Sequence, residues 1–352
     1  MRLMIAPQLL AWWDKHGRKH LPWQKDRSPY RIWVSEIMLQ QTRVETVIPY
    51  FERFMESFPE VKALAAAGDD EVLAIWAGLG YYSRAHNLLK AAGIVVTQHG
   101  GELPRDFDSL VALPGIGRST AGAILALAHG QRSAILDGNA RRVLARVGAV
   151  EGWPGKASVS RTLWRLAEAN TPSERVRDYT QAIMDLGATV CLRRRPRCAS
   201  CPLAESCRAR KYGRTSEIPA ARRTANRPLK PRSMLVVQRP DGAILLRRRP
   251  PTGIWAGLWS LPTLEKEESA RDWCSRVLAC CPQSHTVLTP IRHGFSHFEL
   301  EIRPIHLPVD KPPGELRDGD QWRWHDGAQD LGMPAPIRRL VDSLVVGAGG
   351  PR

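Results

Sequence analysis

No run in this 352-residue chain approaches the roughly eighteen apolar residues that a membrane-spanning helix needs. The first twenty residues, Met1 to His20, hold an apolar stretch too short for a secretion signal and turn amphipathic at once. The expectation is a cytoplasmic protein without a membrane partner. Cysteine is sparse at seven residues, which at this length does not argue for a disulfide framework. Acid is short as well: 35 Asp and Glu stand against 51 Lys and Arg, a formal charge of +16. A polyanion is therefore the first partner to consider, although a merely basic soluble protein has the same composition. Alternating strand patterns are missing before residue 230, which excludes a sheet in the first two-thirds of the chain.

What is there instead is helical periodicity. A first amphipathic helix carries Leu9, Leu10, Trp12 and Trp13 and ends near Gly17. Leu21-Pro22-Trp23-Gln24 reads as a loop, and the next helix carries Tyr30 to Gln41. Further helices are expected at 45–57, 70–78, 83–98, 117–130, 140–147, 158–170 and 173–191. On the helix from Tyr30 to Gln41, Glu36 follows Trp33 by three residues and Ile32 by four. Periodicity leaves two readings open. The carboxyl is partly desolvated, with a raised pKa suited to a general acid, or it lies at the edge of the apolar stripe and reaches solvent.

Leu113-Pro114-Gly115-Ile116-Gly117 is a Gly-rich turn that feeds an uncharged apolar helix. Backbone N–H groups at such a helix start suit a phosphate, and the same turn also serves as a plain helix–helix connection. Ile135-Leu136-Asp137-Gly138-Asn139 opens the following helix, with Asp137 placed as an N-cap or as a functional acid. Gly78 to Arg84 is a glycine turn with two tyrosines and a base, suited to insertion between DNA bases or to a core beside a helix cap.

Cys191, Cys198, Cys201 and Cys207 form C-x6-C-x2-C-x5-C. One close pair flanked by longer gaps favours a [4Fe–4S] cluster over zinc, which tends to use two close pairs. The loop after the first cysteine, Leu192 to Arg197, carries four arginines and forms a phosphate-facing surface if a cluster clamps it. Residues 208–232 hold nine Lys or Arg against one acid and three prolines, a basic linker with little to bury. Beyond it the pattern changes to a small α+β domain. Strands are expected at 234–238 and 243–247 around an Asp-Gly turn, at 257–262, 286–293 and 297–306, and helices at 269–280 and 335–345. Cys274, Cys280 and Cys281 lack ligand spacing and read as packing residues.

Ser35 to Thr42, Trp76 to Arg84, Leu113 to Gly122, Ile135 to Asn139 and the four cysteines together resemble the helix-hairpin-helix DNA glycosylases of the endonuclease III superfamily. Within it they resemble the A/G-specific adenine DNA glycosylases, the MutY family. The resemblance implies an all-α helix-hairpin-helix glycosylase core with a [4Fe–4S] cluster loop over 1–211. A linker over 212–232 and an α+β MutT/Nudix-like domain over 233–346 follow. In the latter, Phe295-Ser296-His297 matches the recognition loop. No R-E-x-x-E-E run follows Gly257, so the domain is expected to read a lesion and not to hydrolyse pyrophosphate.

The resemblance also implies roles. Glu36 falls on the general acid, Asp137 on the carboxylate that stabilises the sugar cation, and Asn139 on a residue that orients this region. Tyr81 and Gln41 are the wedge candidates, with Gln40 and Thr42 close to the opposite base. Gln181 and Trp23 belong to the base pocket, and Gly115 and Gly117 to the phosphate turn. Ser119 stands where strand-cleaving relatives carry a lysine, so base excision without strand cleavage is expected. The implied partner is double-stranded DNA with adenine opposite 8-oxoguanine or guanine, bound by a monomer on the nucleoid; no protein partner is legible. A bifunctional glycosylase/lyase is the competing enzyme, and Ser119 and the extra domain speak against it. A non-catalytic Fe–S DNA-binding or redox-sensing protein is the competing class, and the joint presence of Glu36 and Asp137 speaks against that.

Overall fold

The structure, a computed structural model, describes residues 4–222, 226–265, 267–280, 282, 284–295, 297–310 and 321–345. They form two compact units, Met1–Ala66 with His86–Arg223, and Ala67–Ala85 with Thr224–Arg352. No helix among the described residues is long and apolar enough to cross a membrane.

Up to residue 211 the elements are helices. In chain order they are α1 Ala6–His16, α2 Pro22–Lys25, α3 Pro29–Leu39, α4 Val44–Ser57, α5 Val61–Ala66, α6 Asp69–Trp76 and α7 Ser83–Gln98. Then follow α8 Phe107–Ala112, α9 Arg118–His129, α10 Gly138–Gly148, α11 Ala157–Asn170, α12 Val176–Thr189 and α13 Arg208–Lys211. Their ends follow local chemistry. Gly17 closes α1, Ser28 caps α3 by accepting from the Arg31 N–H, and Asp106 caps α8 by accepting from the Ser109 N–H. Leu21 to Gln24, expected as a loop, is instead the start of the short helix α2, because Pro22 stands at a helix N-terminus where its missing N–H costs nothing. Gln40 and Gln41 lie beyond the end of α3, and Gln41 has φ +60°. Helices α5 and α8, six residues each, were not legible because neither is long enough to show periodicity.

The hairpin α8–α9 organises the first unit. Every residue of α9 from Ala121 to Leu127 is buried. It packs against α3, α8 and α12, and α12 packs in turn against α1 and α10. Small residues permit this. A Cβ on Gly122 would stand 2.3 Å from the Ala134 carbonyl oxygen, and one on Gly187 of α12 would stand 2.5 Å from the Asn139 Cβ of α10. The chain after α13 is not a loose linker throughout. Arg146 donates to the Ile218 carbonyl oxygen at 2.9 Å, and the Ala220 N–H donates to the Gly152 carbonyl oxygen at 3.3 Å.

The second unit holds a seven-stranded mixed sheet. Its strands are β1 Leu229–Gln238, β2 Ile244–Arg248, β3 Trp259–Ser260, β4 Thr286–Val287, β5 Ile291–Gly294, β6 Glu299–Pro308 and β7 Trp322–His325. The order is β3-β2-β1-β6-β4, with β5 also on β6 and β7 also on β2. Only β1 and β6 run parallel among the pairs described, in register Leu229↔Glu299 through Gln238↔Pro308. Helix α14, Ala270–Leu278, buries Trp273, Cys274 and Leu278 against Leu235, Val237, Leu245 and Leu307. Helix α15, Ala335–Val345, ends the described chain. The strand expected over 286–293 is two strands, β7 was not foreseen, and β1 begins within the stretch read as linker. Cys274 is a core residue and Cys280 packs beside it; Cys281 lies outside the described residues.

Candidate active site

A cavity of about 760 Å³ opens in the first unit. Glu36 reaches it from α3, Asp137 and Asn139 from the start of α10, and Gln181 from α12. Trp23, Gln40, Gln41, Thr42 and Ser119 complete the set of expected residues that line it. Residues more than a hundred positions apart therefore share one wall.

Glu36 keeps partial access to the cavity, yet its carboxyl is surrounded by protein. Burial pushes it up to about 8, and the negative charge of Asp137 adds to the rise. Glu36 therefore stands between its two readings: the side chain keeps some exposure on the cavity wall, while its carboxyl is desolvated enough to raise its pKa. Asp137 is an N-cap that also lines the cavity. Its Oδ1 accepts from the Ala140 N–H at 2.8 Å and its Oδ2 from the Asn139 N–H at 3.1 Å, so it caps α10 while lining the cavity. Burial raises its pKa. The two backbone N–H groups and the guanidiniums of Arg142 and Arg141 oppose that rise and favour the anion. Burial thus raises both carboxyls, and Asp137 alone has backbone donors and guanidiniums that work against the rise.

Asn139 is fixed by a residue that sequence reasoning missed. Arg142 donates to its Oδ1 at 2.7 Å, and also to the Gly187 carbonyl at 2.5 Å and the Cys191 carbonyl at 2.7 Å. One turn on, Arg146 is 3% exposed and donates to Cys191 Sγ at 3.3 Å and to the Leu192 carbonyl at 2.7 Å. The i, i+4 spacing of two arginines on a helix beginning at Asp137 was the available signal; nothing local said that they face inward. Arg18 and Asp185 were missed as well. Arg18 lines the cavity and pairs with Asp185 behind it at 2.7 Å.

Ser119 lines the cavity, and its hydroxyl accepts from the Leu136 N–H at 3.0 Å. No lysine stands among the residues lining this cavity. Gly115 and Gly117 lie outside it, exposed on the turn before α9, where Gly115 takes φ +81°. A Cβ at Gly115 would stand 2.9 Å from the Asn87 Cβ, so the turn needs glycine for both reasons.

Cys191, Cys198, Cys201 and Cys207 all line one small cavity between α10, α12 and the following loop, and none is in a disulfide. Burial pushes the Cys201 thiol up to about 11, and the other three cysteines add to the rise. No group of three metal-ligating side chains close enough for a single ion occurs among the described residues. A tetranuclear cluster takes one thiolate per iron, and four thiols lining one cavity fit that donor set. The loop arginines Arg193, Arg194, Arg195 and Arg197 are all exposed.

The remaining expected residues lie in the second unit. Tyr81, 48% exposed and at φ +52°, lines a second cavity of about 660 Å³ with Phe295, His297, Trp255 and His293. Phe295 stacks on Phe298 with ring centres 4.6 Å apart. Ser296 lies outside the described residues.

The family model of the HhH-GPD superfamily base excision DNA repair proteins matches residues 34–169, and that of the NUDIX domain matches 233–343. The chain is 34% identical to the adenine DNA glycosylase of Buchnera aphidicola from Schizaphis graminum, over 97% of this chain and 99% of that one. It is 35% identical to the adenine DNA glycosylase of Homo sapiens, over 94% of this chain and 72% of that one. Among solved structures it is similar to a thermostable thymine-DNA glycosylase, 28% identical with TM-score 0.52, over 59% of this chain and 95% of that one.

Proposed function

Because this chain belongs to the adenine DNA glycosylases, we propose that the Glu36–Asp137 cavity excises adenine opposite 8-oxoguanine or guanine, by hydrolysis and without strand cleavage. The observation that carries this reading is the pair of buried carboxyls lining one cavity, of which Asp137 alone has backbone donors and arginines that favour its anion. Breaking an N-glycosidic bond requires a proton on the leaving base and shelter for an oxocarbenium-like sugar, the same division of labour as in glycosidases. Glu36, held protonated by burial, delivers its proton to a ring nitrogen of the adenine. Asp137, whose donors and arginines oppose the rise that burial imposes, faces the sugar cation in its ionised form. Asn139, locked by Arg142, keeps the start of α10 in place. Paired adenine is out of reach, so the base must be flipped into the cavity. Gln41 and Tyr81 are the proposed wedges, and Gln40 and Thr42 stand toward the opposite base. Trp23 walls the pocket, and the exposed turn at Gly115 and Gly117 takes a phosphate. Without a lysine in the cavity, the Schiff-base route to strand cleavage has no nucleophile, and the enzyme is monofunctional.

One chain carries both cavities, and it acts as a monomer on nucleoid DNA. Phe295 and His297 in the second cavity, with Ser296 between them in sequence, read the lesion. The test of this whole reading is a duplex with adenine opposite 8-oxoguanine, run with and without alkali before the gel. Alkali-dependent cleavage is expected; alkali-independent cleavage means a lyase, and no cleavage a binding protein. Phe295→Ala with His297→Ala in the full-length protein should lower the single-turnover preference for 8-oxoguanine over guanine by about tenfold, as the adenine itself is the same in both duplexes. An unchanged ratio removes the second cavity from lesion reading.

Cys191, Cys198, Cys201 and Cys207 hold a [4Fe–4S] cluster in this proposal. When bound it supplies structure, clamping the four-arginine loop, and takes no part in the proton transfers above. Protein purified without air should contain iron and sulfide, and stoichiometric zinc without sulfide would sink the assignment. Cys198→Ser should lower soluble yield and lower affinity for undamaged duplex at physiological salt, because it unties the arginine loop.

A further inference from the structure

Asp185 lies behind the wall of the catalytic cavity and does not line it. It is 1% exposed, and its carboxylate is hydrogen-bonded by Trp13, Arg18 and Gln181, each through an N–H. Its Oδ1 accepts from Gln181 Nε2 at 3.0 Å and from Arg18 Nε at 2.9 Å. Its Oδ2 accepts from the Arg18 backbone N–H at 2.9 Å and from Trp13 Nε1 at 3.3 Å. A second guanidinium nitrogen, Arg18 Nη2, stands 2.7 Å from Oδ1. The carboxylate is therefore clamped from α1, from the segment after α1 and from its own helix α12, and it has no freedom to turn.

We infer that Asp185 is a positioning residue that sets the base specificity of the cavity by fixing which end of the Gln181 amide faces it. The inference rests on the reading that this cavity takes the flipped adenine. An ionised carboxylate only accepts, so the amide must turn its Nε2 toward Asp185. Oε1 is then the end that Gln181 offers to a bound base. An acceptor there matches the exocyclic amino group of adenine and repels the exocyclic oxygen of a 6-oxopurine. The discrimination is built one residue back from the contact, where the surroundings are buried and an unpaired polar group is costly.

Asp185→Asn isolates this effect. Asparagine has one acceptor and one donor end. Around it, Arg18 and Trp13 offer donors only, so Gln181 is the one neighbour able to turn an acceptor toward the new amide. The Gln181 amide is expected to reverse and present Nε2 to the cavity. A plain packing role predicts no such reversal.

The test uses full-length holoprotein and single-turnover excision of adenine and of hypoxanthine, each opposite 8-oxoguanine. Asp185→Asn should lower the adenine-to-hypoxanthine rate ratio by about tenfold, the worth of one exchanged hydrogen bond. In a Gln181→Leu background, Asp185→Asn should leave the ratio unchanged, since the amide it acts through is gone. Equal loss on both substrates in the single variant, or a shift that persists in the Gln181→Leu background, overturns the inference. If Asp185→Asn fails to fold, Gln181→Leu against wild type still decides. The ratio must fall in Gln181→Leu, and an unchanged ratio overturns the inference. Adenine left intact by the wild type overturns the glycosylase reading itself, whereas adenine excised with no ratio change overturns only the role of Asp185.

Discussion

Glu36→Gln should abolish adenine excision while leaving tight binding to the lesion duplex. Glutamine keeps the volume and a hydrogen-bonding end but has no proton to give. A positioned general acid contributes on the order of 10²- to 10⁴-fold, so the residual single-turnover rate should fall by at least that much. The pH dependence follows from the raised pKa. Glu36 acts in its protonated form, which persists up to about pH 8. The wild-type rate should be insensitive to the alkaline side until that pH and then fall about tenfold per unit. On the acid side it should fall as Asp137 takes up a proton, at a pH above the ordinary carboxylate range because burial raises that group. The same shift has a stability consequence with a definite sign. A carboxyl whose pKa rises from 4.5 unfolded to about 8 folded favours the fold fully below the lower value, and the advantage is lost as pH rises through the higher one. Glu36→Gln carries no such loss. The variant should be more stable than wild type at pH 7, by on the order of 3 kcal/mol, and about equal at pH 4. An inactive variant with no gain in stability at neutral pH would show that Glu36 is not desolvated as described.

Asp137→Asn should lower excision by on the order of 10³-fold with little loss of stability, the signature of an electrostatic role. Asparagine caps helices about as well as aspartate, so the hydrogen bonds to Asn139 and Ala140 have a replacement and the cost to folding should stay under about 1 kcal/mol. What disappears is the charge facing the sugar. Removing that charge also removes part of what raises Glu36, so the alkaline limb of any residual activity should move to lower pH. Rates and thermal midpoints on the same preparation separate the two roles. Loss of rate together with a collapse of stability would mean that Asp137 matters as a cap alone.

The two roles of Asp137 mark where the sequence stops. That aspartate precedes a helix was readable from its place before Gly138 and a periodic run, because capping is a local interaction. So were the ends of α9, α10 and α15, each set by a neighbouring Gly, Asp or Pro and by apolar spacing. The change of character near residue 230 was readable too, since helix and strand differ in period. The spacing of the four cysteines was enough to point to a metal group, which is the cluster proposed above. The short elements α2, α5 and α8 escaped, as a helix of one or two turns has no period to show.

Whether Glu36 met water or protein was a different kind of question. It depended on α9, with the closing glycines Gly122 and Gly187, bringing residues from the two ends of the first unit against one wall. Burial is a property of what stands opposite a side chain, and the stripe on α3 does not contain that information. The same holds for Asp185. Its position four residues after Gln181 was visible, but its partners Trp13 and Arg18 lie more than 160 residues away in sequence. The sequence by itself determined which residue types were available and which helices would carry them. Only the tertiary structure decided that both carboxyls were desolvated, that Asp137 alone had donors and cations against it, and which amide was held in place, because those properties arise from long-range contacts in the interior.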